Sequence, residues 1–259
     1  MSLPLIIGHR GASALAPENT IAAFRRAIDD GADGIEFDVR LARDGVAVVI
    51  HDATLERTGL VRRKVSDLTA AELGATEVGR WFRQAVTAGA EFAGETVPTL
   101  QQVFELFSEH NGLLYLEMKP DAGTGNELAS EVVRMIRQST LVERVIVECF
   151  DLSLIQRVKQ IDSRIRAAAL FEPKLLRTNW FFRQKLAALA SASGANEIAL
   201  HHALASRRMI EQAQQQGLSV VVWTVDNPEW VIRGQALGVS ALITNNPASL
   251  LTRRNSTGV

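Results

Sequence analysis

The chain has one cysteine in 259 residues, Cys149. An intramolecular disulfide is therefore impossible, and a zinc site built on several thiolates is excluded. A basic surplus is missing too: 28 Lys and Arg stand against 29 Asp and Glu, a net charge of -1. The chain lacks the electrostatic footprint of a nucleic-acid binder, and no block of like charge marks an acidic tail, so phosphate recognition has to be local. No apolar run approaches the roughly 18 residues of a membrane span, which argues against stable membrane insertion. The N-terminal segment has no basic n-region and reaches His9 and Arg10 before a signal-length apolar run can form, so a cytoplasmic location is the default expectation. Internal repeats are absent, and nothing in the sequence sets an oligomeric state.

What is present suits a globular protein: 47% hydrophobic and 22% charged residues leave ample material for a core. The length is that of one (β/α)8 barrel. Short apolar strands alternate with helical patterns, the signature of βα units around a parallel sheet. Strands are predicted over residues 3–8, 34–41, 113–119, 144–149, 165–171, 197–200, 219–225 and 241–244. These make an α/β fold, a TIM barrel, with residues 1–259 as a single catalytic domain. Ile21, Phe24 and Ile28 recur at helical spacing, as do Leu100, Val103, Phe104 and Phe107, and Leu128, Val132, Met135 and Ile136 share a third apolar face. Thr99 and Gln102 are spaced for a capping box that starts the second of these helices. Residues 52–97 are too many for an ordinary loop and carry their own helix signal at Thr69-Ala70-Ala71-Glu72. They read as a small inserted subdomain after the second strand, over the C-terminal mouth of the barrel.

Chemistry concentrates at strand ends. In Glu36-Phe37-Asp38 the two-residue period sends both carboxylates to one face of a strand. They repel unless a proton or a cation lies between them, or they form the polar face of a half-exposed strand. The apolar run ending in Glu117-Met118-Lys119 adds a third carboxylate, free either to complete an oxygen-rich set for a hard cation or to pair with Lys119. His9 and Arg10 follow the first strand between Gly8 and Gly11, and His51 closes the apolar run from Val46 to Ile50. Two histidines at one mouth can take and give a proton in turn, although either alone serves equally as a structural residue.

Gly8-His-Arg-Gly-Ala12, Pro17-Glu-Asn-Thr20, Glu36-Phe-Asp-Val39 and Val49-Ile-His-Asp52 resemble consecutive signatures of the glycerophosphodiester phosphodiesterase family, in its bacterial, soluble type. The likeness continues through Asp67-Leu-Thr69, Pro98-Thr-Leu100, Leu116-Glu-Met-Lys119 and Trp223-Thr-Val225. The resemblance implies a TIM barrel that hydrolyses glycerophosphodiesters, such as glycerophosphocholine and glycerophosphoethanolamine, to glycerol 3-phosphate and an alcohol. It implies His9 and His51 as acid and base, Glu36, Asp38 and Glu117 as ligands of one Mg2+ or Ca2+, and Arg10 and Lys119 as phosphate contacts. Glu18 is similar to a site residue of the family, or else favours the positive end of the helix that follows. Phe150 and Trp223 stand at strand ends, either as an apolar wall beside glycerol or as packing for the insert.

Two positions depart from the family pattern. Cys149 stands where serine is common, and is expected to preserve packing. Asn245 replaces a common aspartate, which predicts altered loop bonding more than lost activity. His110, His201 and His202 match no motif and are read as structural or solvated. Rival readings are a lysophospholipase D acting on lipid, which Trp81-Phe82 keeps open, and a catalytically silent phosphate-binding barrel. The pattern leaves direct hydrolysis and a cyclic glycerophosphate intermediate both open.

Overall fold

The computed structural model describes residues 2–82, 92–173 and 185–257. The chain runs through Leu5–His9 (β1), Ile21–Asp29 (α1), Gly34–Leu41 (β2), Ala47–Val49 (β3), a 3-10 turn at Val65–Asp67 and Ala70–Gly74 (α2). It continues with Leu100–Ser108 (α3), Leu113–Met118 (β4), Gly125–Gln138 (α4), Val145–Cys149 (β5), Leu152–Ile161 (α5) and Arg166–Phe171 (β6). The last part comprises Leu186–Ala192 (α6), Glu197–His201 (β7), Arg207–Gln215 (α7), Ser219–Trp223 (β8), Trp230–Leu237 (α8), Ala241–Thr244 (β9) and Pro247–Asn255 (α9). Around the sheet the order is β1-β9-β8-β7-β6-β5-β4-β2, and the parallel pairing of β1 with β2 closes it. All eight predicted strands are present and form a closed parallel barrel with helices between them.

Side chains alternate across the wall, as the strand period requires. Phe37, Val39, Leu116 and Val147 point outward and join Phe24, Val103, Phe107 and Val132 of the helices in one buried layer. Ile7, Tyr115, Ile146, Ala168, Ala199 and Val221 form a separate cluster that fills the lumen. Its floor is polar: the Tyr115 hydroxyl donates to Glu197 Oε2 at 2.9 Å, and Arg166 pairs with the same carboxylate. The lumen is thus a packed plug, open only at the C-terminal ends of the strands.

The apolar run that His51 closes, outside the eight predicted barrel strands, forms β3; its three residues pair antiparallel with the end of β2, Val39 opposite Val49. So short a run carries no period of its own. Both capping boxes are formed, Thr69 with Glu72 at α2 and Thr99 with Gln102 at α3. Leu55, Val65, Leu68, Leu73, Val78 and Val97 pack on Val48 and Ile50 as a small satellite core. Residues 83–91 of the predicted insert lie outside the described residues.

Candidate active site

The register of the parallel strands assembles the site. His9 is paired with Glu36 across β1 and β2, Asp38 with Glu117 across β2 and β4, and Glu117 with Glu148 across β4 and β5. Paired residues of a parallel sheet face the same side, so these groups converge at one rim. A cavity of about 210 Å³ opens there. His9, Arg10, Glu36, His51, Glu117, Lys119, Phe150 and Trp223 line it together, as do Glu148 and Glu172.

The loop after β1 needs its glycines. At Gly11, with φ of 82°, a Cβ would lie 2.6 Å from the Ala23 carbonyl, and at Gly8 one would meet the Gly11 carbonyl oxygen at 2.7 Å. This tight turn leaves Arg10 in the left-handed region at φ 53°, a conformation that costs a non-glycine residue about 1 kcal/mol. Its contacts offset that cost. The Arg10 N–H donates to Glu36 Oε2 at 3.0 Å, while its guanidinium reaches Glu18 at 2.7 Å and Asp38 at 3.2 Å.

One oxygen each of Glu36, Glu117 and Glu148 lies within 4.8 Å of the others, and all three residues are buried. Burial raises the Glu36 carboxyl well above the ordinary range, and the charges of Asp38 and Glu117 push it further. Burial also lifts Glu148 well above that range, helped by Glu36 and Glu117. Glu117 is pushed up to about 7 by burial, against the opposing pull of Lys119. Three carboxyls that resist ionisation are compatible with a cation at their centre, and the buried Glu148 Oε2 has no hydrogen-bond partner among the described residues. A hard divalent ion with oxygen ligands fits this donor set.

Asp38 sits just behind, fully buried. Burial alone would raise its carboxyl, but Arg10, Lys119 and a 2.8 Å hydrogen bond from Asn19 Nδ2 overcome this and hold it well below the carboxylate range. Lys119 Nζ lies 2.6 Å from Glu117 and 3.4 Å from Asp38. The Glu117–Lys119 ion pair that the sequence allowed is formed, with Glu117 buried at the rim and not on the open surface.

The two histidines are held alike. His51 Nδ1 meets Asp52 Oδ1 at 2.7 Å, and His9 Nδ1 meets Asn245 Oδ1 at 2.7 Å. Asn245 has no freedom to flip, because its amide nitrogen donates to the Asp226 carboxylate at 2.8 Å and a carboxylate only accepts. Its Oδ1 must accept, so Nδ1 of His9 carries the hydrogen and Nε2 keeps a lone pair, 3.8 Å from Glu36. Burial, with Arg10 nearby, lowers His9 to about 4, and burial lowers His51 as well. Burial thus favours the neutral form of both rings. The replaced aspartate therefore bears on His9 itself, not only on the loop; Asp226 keeps a carboxylate one link further out.

Glu18 is not at the helix end in the sense of a charge on a first turn; Thr20 caps α1 by accepting from Ala23 N. Arg57 of the insert grips Glu18 with two hydrogen bonds of 2.7 and 2.8 Å and Asp52 with one of 2.7 Å. On the opposite rim Phe150 and Trp223 meet edge to face at 5.7 Å, and His201 stands on Trp223 at 5.3 Å. Glu148 escaped the sequence reading although Val145-Ile-Val-Glu148 repeats the pattern of the strand that ends in Glu117: apolar, then charged at its C-terminal end. Asp226 left no signal, and Asn245, singled out as a departure from the family pattern, gave none of its contact with His9, since only the closure of β9 on β1 brings it there.

A sequence profile described as the glycerophosphoryl diester phosphodiesterase family matches residues 9–249. The chain is 34% identical over 249 residues to a glycerophosphodiester phosphodiesterase of Caldanaerobacter subterraneus, covering 95% of this chain and 96% of that one. It is 29% identical to a glycerophosphodiester phosphodiesterase of Bacillus subtilis, covering 94% and 84%. Among solved structures, it is similar to a glycerophosphodiester phosphodiesterase of Agrobacterium tumefaciens, with 26% identity, TM-score 0.78 and coverage of 96% and 100%. An Oleispira antarctica phosphodiesterase shares the fold, with TM-score 0.85, 24% identity and coverage of 98% and 97%.

Proposed function

Because the chain belongs to the glycerophosphoryl diester phosphodiesterase family, we propose that it hydrolyses soluble glycerophosphodiesters, such as glycerophosphocholine and glycerophosphoethanolamine, to glycerol 3-phosphate and an alcohol. One observation carries this reading: two histidines, each fixed through Nδ1, share a single cavity with two cationic side chains and a buried carboxylate cluster.

In this reading Glu36, Asp38 and Glu117 hold one Mg2+ or Ca2+, and Glu148 joins them or backs them. When bound, the ion supplies neutralisation of charge on the phosphate oxygens. Arg10 and Lys119 place further positive charge beside the phosphate, where hydrolysis of a diester needs it most. Proton movement falls to the histidines. One accepts the proton of the neighbouring glycerol hydroxyl or of a water at Nε2; the other, which takes up a proton at Nε2 from solvent beside the anionic diester, passes that proton to the departing alcohol oxygen. Glu18 positions Arg10 from behind. Phe150 and Trp223 form the apolar wall beside glycerol, and the buried Trp223 indole N–H, without an acceptor among the described residues, is available to a substrate oxygen.

Residues 52–97 belong to the same catalytic domain and cover the mouth; the reach of Arg57 to Glu18 and Asp52 supports this. Among the described residues no helix is long and apolar enough to cross a membrane. The test is release of glycerol 3-phosphate from glycerophosphocholine with Mg2+, with Ca2+ or with chelator. Turnover that chelator abolishes and either ion restores is expected; absence of metal-dependent turnover on any diester would overturn the proposal.

A further inference from the structure

The rim is divided between two kinds of lining. Strands β1 to β5 and the residues just after them supply His9, His51, the cations and the carboxylate cluster, whereas the remaining lining includes Glu172, just past β6, and Trp223 at the end of β8, against which His201 of β7 stands. Glu172 stands one residue past the end of β6 and lines the cavity. It is outside the cluster of Glu36, Glu117 and Glu148 and makes no ion pair with any described residue. No described cation pairs with this carboxylate, although Arg10 and Lys119 line the same cavity.

Phe150 and Trp223 line the same cavity. Trp223 and Phe150 meet edge to face, and His201, which feels the charge of Glu172, stands against Trp223. The side of Phe150 toward the phosphate contacts already attracts a cation, Lys119 Nζ at 5.6 Å from the ring. His201 does not cancel the charge of Glu172, because its Nδ1 accepts from the Ala203 N–H at 3.2 Å and so carries no hydrogen. A carboxylate beside ring systems is the chemistry that recognises an alkylated or primary ammonium group.

We propose that Glu172, with His201 and the Trp223 indole that also bounds the glycerol side, forms the subsite for the alcohol half of the diester and selects alcohols that carry a positively charged nitrogen. This rests on the hydrolase reading above and names its preferred substrates: esters of short amino alcohols, ahead of neutral ones of the same shape.

The test compares kcat/KM for glycerophosphocholine and for its uncharged isostere, the 3,3-dimethylbutyl ester, in the metal-loaded wild type and in Glu172→Gln. At least a tenfold preference for the charged ester is expected in the wild type, falling at least fivefold in the variant. Equal turnover of the two esters by the wild type would overturn the subsite while leaving the hydrolase reading intact. So would an equal loss on both in the variant, which would place Glu172 on the shared half of the substrate. No turnover of either ester would sink the hydrolase reading and the subsite with it. Should Glu172→Gln fail to fold, product inhibition of the wild type decides: free choline is expected to inhibit at least fivefold more strongly than 3,3-dimethylbutanol, and equal inhibition would refute the subsite.

Discussion

Replacing Glu148 by glutamine is expected to stabilise the cation-free protein at pH 8 and to weaken its grip on a divalent ion. An unfolded glutamate gives up its proton near 4.5, whereas Glu148 in the fold holds it well above that range and its neighbour Glu117 holds it up to about 7. Keeping one such carboxyl protonated to pH 7 spans about 2.5 pH units, which at about 1.36 kcal/mol each costs about 3 kcal/mol. Ionising it instead costs as much. Two unit charges about 4.8 Å apart, the limit of the cluster, repel by about 3.5 kcal/mol at an effective dielectric of about 20. Glutamine escapes both costs, and its amide can donate to the neighbouring carboxylates.

The sign follows from the raised value. Stability from the protonated carboxyl is complete below 4.5 and is lost as pH rises through the folded-state value, so the advantage of Glu148→Gln should be absent near pH 4.5 and grow toward pH 8. His9 and His51, held neutral in the fold, act in the opposite direction below 6.5, but they are common to both proteins and largely cancel in the difference. The assay is urea and thermal unfolding of chelator-treated wild type and variant at pH 5 and pH 8. At roughly 2–4 °C per kcal/mol for a chain of this size, a Tm gain of about 6 °C or more is expected at pH 8. Excess Mg2+ or Ca2+ should then stabilise the wild type more than the variant. A variant no more stable at pH 8, or an advantage independent of pH, would refute the electrostatic reasoning.

Two further expectations concern single groups. The acid limb of kcat/KM against pH should lie below the 6.5 of a free histidine, since burial lowers both His9 and His51, and one limb should vanish in His9→Ala and in His51→Ala; an unchanged profile in either variant would remove that ring from proton transfer. Burial pushes the Cys149 thiol up to about 12, and its Sγ lies 3.4 Å from the Met118 carbonyl oxygen, so a thiol reagent at pH 8 should label the unfolded protein only; rapid labelling of the native state would contradict that burial.

The barrel was legible because each of its strands is a short apolar run between turn residues, and alternation did not have to be read through a buried parallel sheet. Gly8 to Asp52 announced most of the site, since motif residues there stand at strand ends. What escaped was set by closure. Glu148 carries a visible pattern, yet a lone glutamate on one strand acquires meaning only when its register against Glu117 is known. Asn245 and Asp226 are more than two hundred residues from His9, and no local period connects them. Glu172 follows its strand with no motif around it, and only the closed barrel puts it in one cavity with Phe150 and Trp223.

Arg57 has a consequence for how such sequences can change. Three of its N–H groups serve two carboxylates that work in different places, Glu18 behind Arg10 and Asp52 behind His51. Glu18 is only 13% exposed, so a descendant that lost Arg57 would keep a shielded negative charge with one cation fewer, and Asp52, which holds the His51 ring, would lose its bond from Arg57 in the same event. Glu18, Asp52 and Arg57 therefore act as a unit, and a change at Arg57 reaches the supports of Arg10 and His51 together.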